Sequence, residues 1–177
     1  MSYAAIRIAR FGGPEVLELS TISELPAPAP GQLRIKVLAA GTGFTDVFIR
    51  RGRYPDVKCP LPFIRGYEAV GVVDALGPGV AYPALGTCVA DLGVTGGYAQ
   101  YALCPADRVV PVPGGIDPGK AACIPLAYVT AYQMLVRVRQ LPERATVLVI
   151  GGSGTVGTAL LDLGSGPIKG IPTTPMI

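Results

Sequence analysis

Histidine is absent from the 177 residues, and charged residues make up only 15% of them. Without histidine the usual general base is missing, as are the Ser-His and Cys-His nucleophile pairs and the commonest metal ligand. Cysteine is scarce too. Cys59, Cys88, Cys104 and Cys123 are widely spaced with no C-x-x-C pair, which argues against a structural zinc site and reads as reduced cytosolic thiols, most of them filling space. The formal charge of +3, from 15 basic and 12 acidic residues, is too small to point to nucleic acid. A long uninterrupted apolar run is also lacking. Arg7 and Arg10 stand where a signal peptide would need its apolar core, and the weakly polar stretch from Ala121 to Val136 carries Pro125 and Gln133. Neither secretion nor a membrane span is expected, and the location read from this is cytoplasmic.

What is present is apolar sequence cut into short pieces. Half of the chain is hydrophobic and the mean hydropathy is +0.46, so a buried core is available. The 24 glycines and 18 prolines lie between apolar runs without a repeat, which favours short strands and tight turns over a helical bundle. Apolar residues alternate at Ala5–Ile8 and Leu33–Val37, and further strands are expected at Val70–Val73, Cys88–Leu92, Tyr98–Leu103 and Val109–Val112. Strands at this spacing predict a barrel or sandwich. One helix is expected near Thr45–Arg51 with Thr45 as its cap. Five basic residues, Arg50, Arg51, Arg53, Lys58 and Arg65, cluster here. They mark either an anionic ligand or, as the simpler reading, a solvated face.

Beyond Pro113 the period changes. Ala127, Ala131, Met134, Leu135 and Val138 recur at helical spacing up to Leu141-Pro142. The apolar run Val147–Ile150 then reads as a buried strand, followed at once by Gly151-Gly-Ser-Gly-Thr-Val-Gly157 and the apolar Ala159-Leu160-Leu161. A strand, a G-x-G-x-x-G turn at Gly152, Gly154 and Gly157, and a helix form the context in which glycines admit a pyrophosphate to a helix N-terminus. A complete dinucleotide domain needs more strands and a ribose-reading residue about twenty positions on. Residues 158–177 hold Gly164-Ser165-Gly166-Pro167, Pro172 and Pro175 instead, so the chain reads as beginning a cofactor domain without finishing it.

Taken together, these segments resemble the medium-chain dehydrogenase/reductase superfamily, and within it the zinc-independent, zeta-crystallin-like quinone oxidoreductases. The resemblance covers about residues 1–164. It rests on Gly12-Gly13-Pro14-Glu15-Val16-Leu17, Ala40-Gly41-Thr42-Gly43-Phe44-Thr45-Asp46, Ile49–Pro55, Gly66-Tyr67-Glu68 with Gly71, Gly96-Gly97-Tyr98-Ala99, Ile124-Pro125, Thr130-Ala131-Tyr132 and the glycine loop, all in family order. It implies a mixed β and α/β fold: a GroES-like β-barrel substrate domain over 1–125, then the first strand and helix of an incomplete Rossmann domain over 126–164, and an irregular tail over 165–177.

The resemblance also implies a chemistry. Zinc-dependent relatives place a cysteine at position 43 and a histidine at position 67, where this chain has Gly43 and Tyr67, so no metal site is expected. The implied reaction is hydride transfer from NADPH to a quinone or an α,β-unsaturated carbonyl, with weak or no NADPH binding by the shortened chain. Tyr54 matches an active-site tyrosine that would hydrogen-bond the substrate carbonyl, or else packs on the barrel. Cofactor contacts would come from Gly43, Thr130, Gly152, Ser153, Gly154, Thr155, Val156 and Gly157, with a helix cap as the plainer role of Thr130. Gly43 replaces a polar asparagine, Phe48 a second tyrosine and Asp162 a glutamine. Tyr67 is expected to be a packed aromatic, Asp46 a first-turn helix residue, and Glu68 to be held by a buried base such as a nearby arginine. The partners implied are a small-molecule substrate and further copies of the chain in a homo-oligomer. The rival reading is a noncatalytic GroES-like binding or assembly module.

Overall fold

The structure is a computed structural model that describes residues 1–54, 60–93, 96–138 and 145–165. Two compact units, Met1–Ala122 and Cys123–Ile177, make up the chain.

In the first unit, β1 (Tyr3–Ile8) lies between β2 (Leu17–Ile22) and the two-residue β4 (Phe63–Ile64). The larger sheet runs β7 (Tyr101–Pro105), β3 (Gln32–Ala40), β5 (Glu68–Leu76), β6 (Cys88–Leu92), β8 (Val110–Pro111), with every pairing antiparallel. Alternation decides which face of β3 goes inward. Leu33 and Ile35 are fully buried while Arg34 and Lys36 lie between them. On the outer side Arg34 grips Asp74 of β5 through two hydrogen bonds of 2.9 and 3.0 Å. Strand β5 does not alternate, because both of its faces are covered. Ala69 and Val73 join Leu33, Ile35, Val89, Ala102 and Cys104 in the barrel core, whereas Val70 packs with Ala121 and Ala122 of α2 (Pro118–Ala122).

The expected strand-rich first part followed by helices is the observed architecture, with differences. Residues 98–100 are not the start of a strand of the large sheet but the stitch between the two sheets. The Ile6 amide donates to the Tyr98 carbonyl at 2.8 Å, and the Gln100 amide donates to Ala4 at 2.9 Å while its carbonyl accepts from Val37 at 2.9 Å. The strand expected at Val109–Val112 is reduced to Val110–Pro111, since proline has no amide to continue a ladder. Strand β2 was not among the expected strands, and its residues are mostly exposed, Leu19 at 76%.

In the second unit, α3 (Pro125–Tyr132) runs into a π-helical stretch, Gln133–Val138, and α4 covers Thr155–Ser165. The expected stop at Leu141-Pro142 lies outside the described residues, as does the tail from 166 onward. The centre of this unit is small: Ala127, Ala131 and Ala159, with Tyr128, Val156, Leu160 and Leu163 against them. The Tyr128 hydroxyl donates to Asp162 Oδ2 at 2.8 Å, tying α3 to α4. Val147–Ile150, expected as a buried strand, has no ladder partner among the described residues, and Leu148 and Ile150 are 85% and 91% exposed. A strand exists only where a neighbour takes up its amides and carbonyls, which an apolar run cannot supply by itself.

Candidate functional site

In the first unit the candidate site grows from α1 (Phe44–Arg50). Its cap is not Thr45. Gly43 occupies the N-cap, and with no side chain to offer, it leaves the reverse half of a capping box, in which Asp46 Oδ2 accepts the Gly43 amide at 2.8 Å. Asp46 is thus a first-turn residue, and also more than that. Its Oδ1 takes a 2.6 Å hydrogen bond from Arg65 Nη2, and its Oδ2 a 2.8 Å bond from the Tyr98 hydroxyl, which also reaches the Gly41 carbonyl at 3.2 Å. Burial, then the bond to Asp46, pushes the Tyr98 phenol well above its ordinary pKa, so it stays a donor. Gly66, at φ +96°, lets the chain turn directly against Tyr98, where a Cβ would lie 2.6 Å from the ring and from the Tyr98 amide nitrogen.

Arg65 is 5% exposed, so at least this member of the basic cluster is not part of a solvated face, and Lys58 lies outside the described residues. Its ion-pair partner is Asp46, and its guanidinium sits 5.3 Å from the Tyr67 ring centre. Tyr67 is half-buried as a packed aromatic. Burial raises its pKa, with the Thr45 hydroxyl acting in the other direction. Tyr54 is 38% exposed, lies within electrostatic reach of Tyr67, and has no side-chain hydrogen bond to another described residue. A backbone and a phenol at positions 43 and 67 are a poor donor set for zinc.

In the second unit the glycine turn is where the spacing put it. Gly154 donates its amide to Gly151 at 2.9 Å and opens α4, and Gly151 carries φ +79°. A Cβ on Gly154 would meet only the Gly151 carbonyl, at 3.3 Å, which leaves the rest of its surface open to an approaching group. Gly157 is the opposite case. A Cβ there would lie inside contact distance of the Gly151 carbonyl and 2.8 Å from Gly152 Cα, so this glycine exists for close packing of helix on turn. These are the roles a dinucleotide turn assigns to its later glycines. Ser153, Gly154 and Thr155 are exposed around Gly152, while Val156 packs inward and offers the ligand only its backbone. Thr130 stands near the C-terminal end of α3, half-buried. It therefore does not cap the N-terminus of this helix, where Pro125 is the first residue. Asp162 holds Tyr128.

The pattern of residues gave no hint of a buried acid in the barrel core. Asp91 is 2% exposed on β6 beside Cys104, which is fully buried. The Cys104 thiol and the Leu92 amide approach the Asp91 carboxylate, yet neither oxygen has a partner in full hydrogen-bond geometry. Burial raises the pKa of Asp91, with Arg108 opposing. A carboxyl whose folded pKa is raised contributes stability below its unfolded pKa and loses it as pH rises through the folded value. Asp91→Asn is accordingly expected to raise the urea midpoint at pH 8, with a smaller gain at pH 4. A variant less stable than the parent at pH 8 would show the charge to be well accommodated.

Residues 29–114 match the alcohol dehydrogenase GroES-like domain family. The quinone oxidoreductase of Lama guanicoe is 40% identical over 156 residues, which is 88% of this chain and 47% of that protein, and the human quinone oxidoreductase is 37% identical over the same shares. Residues 29–114 thus form a GroES-like domain, and the chain is similar to quinone oxidoreductases over most of its length. Among solved structures, a mycobacterial protein in complex with NADPH is similar with a TM-score of 0.83 at 35% identity, over 92% of this chain and 49% of that one. The human synaptic vesicle membrane protein VAT-1 homolog-like protein gives 0.89 at 33% identity, over 98% and 54%. The chain spans about half the length of the curated relatives it matches. No helix among its described residues is long and apolar enough to cross a membrane.

Proposed function

We propose that the chain carries the substrate domain (1–125) and the opening of the dinucleotide-binding domain (126–164) of an NADPH-dependent reductase that works without zinc on a quinone or α,β-unsaturated carbonyl. The observation that carries this reading is the glycine turn, in which Gly154 leaves its surface open and Gly157 is required for packing. In the α4 first turn, the backbone amides of Thr155, Val156 and Gly157 have no partner within the helix and would face a pyrophosphate, with Gly152 and Ser153 shaping the approach. NADPH, when bound, supplies the hydride. Gly43 in the first unit and Thr130 in the second would each add a cofactor contact, as the resemblance implies. The hydroxyl of Tyr54 would donate a hydrogen bond to the substrate carbonyl oxygen and polarise it.

A dinucleotide site draws on more than its first turn, so the 177-residue chain by itself is expected to bind NADPH weakly. Fluorescence titration should show weak, saturable binding that Gly154→Val abolishes, because a branched side chain would stand between backbone and phosphate. Binding should be indifferent to a metal chelator. Tight binding untouched by Gly154→Val would mean that the cofactor is held elsewhere. A noncatalytic module is the second reading, favoured by Val147–Ile150 having no ladder partner among the described residues, and it requires that no binding occur at any NADPH concentration.

A further inference from the structure

A buried arginine, Arg65, and a half-buried one, Arg50, each have a shielded donor without a partner. The Nε atoms of Arg50 and Arg65 are both shielded from solvent and both lack a hydrogen-bond partner. They border the same cavity, a space of about 400 Å³ between α1 and the strands β1 and β2. An unpaired donor on a buried guanidinium is costly, and the cost disappears only when an acceptor enters. Arg65 spends Nη2 on Asp46, and Arg50 has no ion pair among the described residues. Glu15, whose charge acts on Arg50, is fully exposed and holds the Gly13 amide.

The cavity wall therefore carries two positive charges against the single carboxylate of Asp46, and one more negative charge would balance it. Thr42, Gly43 and Tyr98 also line it, and its apolar part includes Ile8, fully buried, Val47, half-buried, and Leu17, 41% exposed. From this we infer a further ligand site, built on α1 and adjoining Gly43: a pocket for a monoanionic organic carboxylate. Its carboxylate accepts from Arg50 and Arg65, and its apolar body lies along Ile8, Leu17 and Val47. A dianionic phosphate would overshoot the charge balance and leave the apolar wall uncovered. The volume suits a small aromatic or aliphatic acid.

Benzoate titrated into the 177-residue chain and followed by calorimetry tests this. The expected result is saturable one-to-one binding, weakened by about tenfold or more in Arg50→Met, which removes a charge-assisted donor but keeps the length of the side chain. Leu17→Trp, which fills the mouth and leaves every charge in place, should weaken binding comparably, and it serves as the test if Arg50→Met does not fold. Absence of saturable benzoate binding would overturn the inference, and so would binding insensitive to both substitutions. Inorganic phosphate binding as well as benzoate would overturn the carboxylate assignment, since it would show that the apolar wall contributes nothing.

Discussion

Asp46→Ala should cost the first unit about 3–5 kcal/mol of stability, the usual penalty for stripping a buried charge of its partner. The Arg65 side chain is 6% exposed and its counter-ion is Asp46, so the substitution leaves a guanidinium in a site from which water is largely excluded. The same change removes the nearer of the two acceptors of the Tyr98 hydroxyl and the side-chain acceptor of the Gly43 amide. Against a typical domain stability of about 5–15 kcal/mol this approaches unfolding. The double variant Asp46→Ala/Arg65→Met should regain part of the loss, because an apolar side chain of similar length needs no counter-charge. Urea denaturation of the two variants and the parent measures both quantities. A loss below about 1 kcal/mol for Asp46→Ala would place the pair among ordinary surface bridges and deny it the organising role assigned to it.

Gly157→Val is expected to act on the second unit more severely than Gly154→Val, although both glycines belong to one turn. At Gly157 the new side chain collides with backbone, the Gly151 carbonyl and Gly152 Cα, and backbone cannot rotate away as a long side chain can. Overpacking of this kind costs about 1–3 kcal/mol or more. The unit around it is centred on three alanines and has little to spare. Limited proteolysis should therefore open the segment from Cys123 onward in Gly157→Val, along with loss of NADPH binding. Gly154→Val should lose binding and keep the parental cleavage pattern. Identical patterns for the two variants would refute the division of labour between packing and ligand approach.

Much of this was legible in the amino-acid order. Strands β1, β3, β5 and β6 were readable because one face of each is apolar or both are, and the glycine turn because its spacing has few other uses. The family landmarks also pointed to Gly96-Gly97-Tyr98, but not to what Tyr98 does. Three things stayed hidden. The partner of Arg65 could not be read, since Asp46 and Glu68 are both near in sequence and only the turn at Gly66 decides the geometry. Asp91 looked like an ordinary strand carboxylate, because its burial depends on which register β6 takes against β5. Val147–Ile150 misled in the other direction, since an apolar run specifies a willingness to pair and not the presence of a neighbour.

The stitch at residues 98–100 gives the barrel an unusual economy. The backbone of Tyr98 helps to fasten one sheet to the other, and its side chain completes the polar cluster on Asp46. Closing the sheets and assembling the cluster are thus one event, carried by one residue. While the sheets are apart Tyr98 cannot reach Asp46, and the acid at the start of α1 keeps only the Arg65 and Gly43 donors. The integrity of the site is in this sense a report on whether the barrel has shut, and any partner or solvent condition that pries residues 98–100 from β1 would disarm the site before it unfolded the domain.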